Sequence, residues 1–222
     1  GTPHYVPVGF AADRILFTDD GNRAVVLSQN EVAVLALTAD PPRTTVTFPL
    51  TLDPDQVVEP VGVELTPDGQ FALISVQGAG DLYVLDLDNH AVNMVSLAAN
   101  PAAMLVDTDT DQTVLTYGAT SIVDVLEHEY FETESVDLDE PMNHVIDADG
   151  YALLYSTGSW HDAYKLDLET LELTEYVLQN PATSMHLAPT GDFAVALTRA
   201  EGGGGSDVES YYDAQPGMEI LD

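Results

Sequence analysis

Residues 60–87 read PVGVELTPDGQFALISVQGAGDLYVLDL. Three short runs alternate apolar with polar residues, and two tight turns rich in Gly and Asp separate them. Successive side chains of a strand point to opposite faces, so this period-2 pattern predicts three β-strands. In TPDG the glycine is free to take positive φ, which a tight hairpin turn needs. With Gly69 as an anchor, the same turn recurs at Gly21 in FTDDG, Thr110 in DTDTD, Gly150 in IDADG and Gly191 in APTG. The successive spacings are 48, 41, 40 and 41 residues. Each anchor is followed by a run such as RAVVLS, FALISV, TVLTY, YALLYS or FAVALT. A third run comes next: EVAVLAL, DLYVLDL, SIVDVLE, DAYKLDL or GMEILD. A fourth, TTVTFPL, AVNMVSL, YFETESVDL or LELTEYVLQ, follows in four of the five units.

Four strands per unit of about 40 residues predict an all-β fold, a β-propeller of four-stranded antiparallel blades. The whole chain, 1–222, is expected to be one propeller domain. Its blades are expected at 11–52, 60–99, 101–138, 141–179 and 181–222, the last completed by residues 1–10. The closure follows from register. PHYVPVGF (3–10) stands ahead of the first inner strand as AVNMVSL stands ahead of the third, and GMEILD is a third strand with no fourth after it. Five blades closed by an N-terminal outer strand hide edges that would otherwise pair with other chains. The other reading of the same register is a fragment of a six- to eight-bladed propeller.

TPDGQFALIS, LYVLDLDNHAV, APTGDFAVALT and DAYKLDLETLEL together resemble the YVTN-type β-propeller repeat, a WD40-like family. The resemblance extends over nearly the whole chain and is specific for fold. It implies surface-layer and adhesion modules, scaffolds and some enzymes, and a fold alone does not select among these. No unit ends in Trp-Asp.

Composition narrows the field. Five Lys and Arg stand against 38 Asp and Glu, a formal net charge of −33. Phosphate backbones and anionic bilayers are repelled by such a surface, so a nucleic-acid partner and membrane insertion are not expected. The charge suits salty water, a marine or halophilic setting, or a surface that collects divalent cations. The chain has no cysteine, hence neither a disulfide framework nor a thiolate metal site. No apolar run approaches the length of a membrane-spanning helix. The chain starts at Gly1 rather than Met, as expected of an exported protein after processing.

Departures from the repeat mark the candidate sites. Asp107, Asp109 and Asp111 in DTDTDQ resemble an oxygen-rich calcium loop, though the glycine and terminal glutamate of an EF-hand are missing. Acidic turn residues that cap their own backbone are the other reading, which also covers Asp147, Asp149, Asp19 and Asp20. His144, with Asn143 beside it, occupies the position of Ile15, Val63, Met104 and Met185, and would place a polar group at the central channel or simply sit satisfied in the core. Residues 199–217 are far longer than the other turns between second and third strands, which fits a binding loop or a floppy insertion. Gly203 and its neighbours make that stretch flexible, and Tyr211 and Tyr212 offer rigid contact area. Trp160, in the equivalent turn of the preceding unit, would extend the patch if exposed or pack between blades if buried.

These features point to a non-enzymatic module at the cell surface, in the periplasm or outside the cell, that binds a protein or surface glycan or serves as a subunit of a larger assembly. The alternative is a metal-dependent, lactonase-like hydrolase at the central channel. It would use Glu59, Asn100, Glu140 and Asn180, each of which precedes a proline at an inner-strand entrance. Proline restricts its predecessor to extended geometry, so the recurrence also fits turn chemistry. No nucleophile elbow, paired-histidine metal motif or phosphate loop is present.

Overall fold

The computed structural model describes residues 3–53, 55–200 and 216–221. Among these residues there are nineteen strands and no helix. They form five antiparallel sheets in chain order, and within each sheet sequential strands are neighbours. The first sheet holds β1 (Arg14–Phe17), β2 (Arg23–Ser28), β3 (Glu31–Ala36) and β4 (Arg43–Pro49). The second holds β5 (Pro60–Leu65), β6 (Phe71–Val76), β7 (Asp81–Asp86) and β8 (Val92–Ser96). The third runs from β9 (Ala103–Asp107) through β10 (Gln112–Thr116) and β11 (Ile122–Glu127) to β12 (Thr133–Asp137). The fourth comprises β13 (His144–Asp147), β14 (Tyr151–Tyr155), β15 (Asp162–Asp167) and β16 (Leu173–Val177). The fifth has three described strands, β17 (Ala182–Leu187), β18 (Ala194–Thr198) and β19 (Gly217–Leu221). Each sheet falls inside one expected repeat.

Two compact units divide the chain, residues 1–100 and 101–222. In the first unit Val25, Leu27, Val32 and Val34 of the first sheet pack on Ala72, Ile74, Val76 and Leu85 of the second. The middle strands are buried on both faces, which is why β2, β3 and β6 read as nearly continuous apolar runs. Outer strands such as β4 alternate between half-buried and exposed residues. In the second unit Val114, Val123 and Val125 pack on Ala152, Leu154, Tyr164 and Leu166. Leu153, Tyr155 and Ala163 pack on Met185, Ala194, Ala196 and Leu221.

One expectation is corrected. Residues 3–10 form no strand and do not complete the fifth sheet. They lie along the first sheet, where the Thr44 hydroxyl donates to Pro7 O at 2.7 Å and Gln29 N donates to Phe10 O at 3.1 Å. Val6 covers the apolar face made by Ala24, Val26, Ala33 and Leu35. The physical reason is twofold. Pro3 and Pro7 lack the N–H groups a ladder needs, and the uncovered aliphatic face of the first sheet gains free energy from burial.

Candidate functional site

The turn chemistry of the repeats sets up the site. In the first and second sheets a Thr hydroxyl and an Asp two residues on close the turn together. Thr66 Oγ1 donates to Asp68 Oδ1 at 2.6 Å, Gln70 N donates to the same carboxylate at 2.9 Å, and Phe71 N donates back to the hydroxyl at 3.0 Å. Thr18, Asp20 and Asn22 repeat the pattern. These bonds, the Thr18 hydroxyl foremost, hold the Asp20 carboxyl below its usual range.

The third sheet replaces that threonine by Asp107. Its Oδ2 accepts from Asp109 N at 3.2 Å, Thr110 N at 2.8 Å and Thr110 Oγ1 at 2.6 Å. The fourth sheet turns more tightly: Asp149 and Gly150, at φ 59° and 82°, form a two-residue turn with both central residues left-handed. These two turns come together within the second unit. Asp109 meets Asp149 side chain to side chain, and the facing carboxylate raises its affinity for a proton above that of an ordinary aspartate. Asp147 is raised too, by partial desolvation first and then by Asp107 and Asp149, against the bond it accepts from Asp149 N. Asp111 occupies the left-handed turn position at φ 54°, with His128 N donating to its carbonyl. Among the described residues no three His, Asp or Glu side chains are already gathered round one point as metal ligands.

Beside the paired turns lies a cavity of about 220 Å³, lined among others by Asp149, Tyr151, Lys165, Tyr176 and Phe193. The Lys165 ammonium sits 4.1 Å from the centre of the Tyr151 ring, a cation–π contact that occupies the chain's one lysine.

His144 and Asn143 have local partners. Asn143 receives Thr157 N at 3.0 Å and donates to Thr157 Oγ1 at 3.1 Å, pinning the end of β14 to the entrance of β13. The His144 ring packs edge-on against Tyr155 at 4.9 Å, and its Nδ1 lies 2.6 Å from Asn143 O. Both residues are half-buried.

Trp160 is exposed, at 41% of its surface. Its turn is tied to the end of β18, because the Arg199 guanidinium donates to Thr157 O at 3.3 Å and also to Gly158 O. Gly203, Tyr211 and Tyr212, expected beside it, lie outside the described residues. Next to Arg199 the outer face of the fifth sheet carries Leu197 and Met218 side by side, then Val195 and Ile220. Leu197, Met218 and Ile220 are 41%, 64% and 61% exposed. At the matching register positions of the fourth sheet, Leu153, Tyr155 and Ala163 are buried by the fifth.

The four residues expected for the hydrolase lie at separate inner-strand entrances. Gln77 N donates to Glu59 O at 3.1 Å. The Asn100 amide, oriented to donate, reaches Val76 O at 3.0 Å and Ala79 O at 3.2 Å. Asn180 is buried, and its N–H donates to the Glu219 carboxylate at 3.3 Å. Glu140 is half-buried at the entrance to the fourth sheet.

Sequence reasoning passed over a buried network in the third sheet. Asp124, 2% exposed, accepts from the Tyr117 hydroxyl and from Ser135 Oγ at 2.6 Å. The signal was there: SIVDVLE places a carboxylate where DLYVLDL and DAYKLDL place Tyr83 and Tyr164. It also passed over the facing of two acidic turns some 40 residues apart.

No protein-family model and no curated protein matches the chain at the level of sequence. Solved structures do match. Hydrazine synthase of Kuenenia stuttgartiensis aligns over 88% of this chain and 58% of its own, with a TM-score of 0.62 and 16% identity. The dihydro-heme d1 dehydrogenase NirN aligns over 84% of this chain and 42% of its own, with a TM-score of 0.63 and 15% identity. Hsv2 of Kluyveromyces lactis aligns over 83% and 55%, with a TM-score of 0.54 and 12% identity. The fold is a β-propeller of antiparallel blades. The propeller spans about half the length of each structure it resembles, and at these identities the likeness is one of fold.

Proposed function

We propose that this propeller is a non-enzymatic protein-binding module, with its contact surface at the outer face of the fifth sheet and the adjoining Trp160 turn. One observation carries the reading: Leu197 and Met218 stand exposed on one sheet face, at register positions that Tyr155 and Ala163 fill, buried, in the fourth sheet, and Ile220 is exposed beside them. Clustered exposed apolar side chains mark interaction sites on soluble proteins. An aliphatic face fits a protein partner better than a glycan, which needs hydrogen-bonding groups and aromatic platforms. Trp160 adds a residue type that dominates binding hot spots.

The same reading takes the repeat as YVTN-type and the protein as exported, at the cell surface, in the periplasm or outside the cell. The TPDGQFALIS and DAYKLDL runs support the first, and the −33 charge, well suited to saline surroundings, accords with the second. Affinity capture from an envelope extract of the source cells tests the binding. Wild type and a Leu197→Glu/Met218→Glu double variant are run in parallel and compared by quantitative mass spectrometry. The side chains are exposed, so the double variant is expected to melt within a few degrees of wild type. A protein enriched by wild type and lost with the variant supports the reading. Identical captures overturn it.

A further inference from the structure

Within each unit, neighbouring sheets pack by the same two faces. The first sheet turns Val25 and Leu27, with Val34 and Val32 opposite them, towards Ala72 and Ile74 of the second. The third turns Val114, with Val125 opposite, towards Ala152 and Leu154 of the fourth. The fourth turns Leu153 and Tyr155 towards Ala194 and Ala196 of the fifth. Each sheet thus has a leading face and a receiving face. One face of each kind lies open. On the fifth sheet Val195 and Leu197, with Ile220 and Met218 opposite, hold the leading register positions of Val25 and Leu27 with Val34 and Val32. Leu197, Met218 and Ile220 are exposed where the four residues of the first sheet are buried. On the first sheet Ile15 and Phe17 stand opposite Val26 and Ala24, on the receiving face. Ile15 is 50% exposed, while Val63 and Met185, in the same register opposite Ile74 and Ala196, are 1% and 3% exposed. Val6 covers part of this face. A groove of about 430 Å³ stays open on it, lined among others by Val6, Val8, Ile15, Val26 and Leu35.

We propose that the open face of the fifth sheet docks on the open face of the first sheet of a second copy of this chain, head to tail. This names the partner of the surface already assigned to protein binding, and rests on that reading. What covers a leading face elsewhere in the molecule is the receiving face of another sheet, so the open one fits a sheet better than a loose peptide. The chain itself carries the complement. Leu197 and Met218 enter the groove beside Val6 and rest on Ile15 and Phe17, as Leu153 and Tyr155 rest on Ala194 and Ala196. Charge favours the same pairing. Arg14, Arg23 and Arg43, three of the chain's five Lys and Arg, all stand on the first sheet, and Arg14 lines the groove. Residues 181–222 carry seven Asp and Glu against Arg199 alone. Head-to-tail contact therefore brings opposite charges together, where contact between two fifth sheets would oppose like charges. The two patches differ, so the contact is heterologous, and every dimer keeps one free face of each kind for further copies.

Light scattering and sedimentation of the purified chain test this, in KCl of about 1 M, where a Debye length of about 3 Å screens the overall negative charge. The mass of wild type is expected to grow with concentration from the low micromolar range upward. Leu197→Glu/Met218→Glu and Ile15→Glu/Phe17→Glu change only exposed side chains, so both are expected to melt within a few degrees of wild type. Each should weaken association by roughly tenfold or more, because a carboxylate would be buried in an apolar contact. Mixed together, the two double variants should form an equimolar dimer that grows no further. One brings an intact fifth-sheet face and the other an intact first-sheet face. A wild type that stays monomeric overturns the proposal. A different protein captured through Leu197 and Met218 would still uphold the protein-binding reading, so the two fail separately. Self-association that survives in either double variant alone, or a mixture that gives no dimer, also overturns it.

Discussion

In the second sheet the turn between β5 and β6 is closed by a hydroxyl and a carboxylate, Thr66 and Asp68. In the third sheet the turn between β9 and β10 is closed by the carboxylate of Asp107. Both turns satisfy their backbone N–H groups. The threonine solution leaves the Asp68 carboxylate at the surface, bonded to its own turn. The aspartate solution buries a carboxylate and leaves one of its oxygens without a donor. Equivalent turns thus carry equal structural duty, and only one of them carries a surplus of unsatisfied charge.

The largest break in the comparison is expected from Asp107→Ala. Removing a buried side chain that takes three hydrogen bonds should destabilise the protein by about 2–4 kcal/mol, read from urea melts. The parallel change Thr66→Val should cost about 1 kcal/mol, because other bonds of the TPDG turn survive. Gly69 and Asp111 sharpen the contrast next, since both take positive φ, at 67° and 54°. Gly69→Ala should cost about 1–2 kcal/mol through left-handed strain. Asp111→Gly should be neutral or stabilise by less than about 1 kcal/mol, because relief of strain is offset by entropy in the unfolded chain. An equal response at the two positions would remove the distinction between the turns.

The smallest effect is the pH dependence, and its sign separates the turns. Asp109 and Asp147 hold a proton more tightly in the folded chain than in the unfolded one. Stability therefore rises at this cluster as pH falls through their raised values. Asp20, held low by its turn bonds, behaves oppositely, and its contribution is lost as pH falls through its depressed value. Tm measured from pH 7 down to 5 should climb more steeply for wild type than for Asp109→Asn. Parallel curves would show that the overall acidity, and not this cluster, sets the trend.

Much of the fold was legible because it is local. Period-2 runs such as FALISV and YALLYS are strands, and the anchors Gly21, Gly69, Gly150 and Gly191 all take positive φ. What the sequence concealed is contact at a distance. Residues 3–10 alternate well enough to pass for an outer strand, and only the aliphatic face of the first sheet explains why they lie along it. Asp107 and Asp109 were legible as acidic turn residues. Their true neighbours were not, because Asp147 and Asp149 belong to the next repeat and no local pattern announces which turns will meet. The exposed face of β18 and β19 was hidden for the same reason. Leu197, Met218 and Ile220 have the pattern of a core strand, and exposure is a property of what packs against them.

Trp160 is the chain's one tryptophan, and Arg199 fixes its turn at the rim of that exposed face. The protein therefore carries a built-in optical probe at a single known address. Its emission comes from an indole 41% open to water, with no second indole to dilute the signal. A blue shift on mixing with a partner, or protection from a soluble quencher, localises contact to this rim without any label.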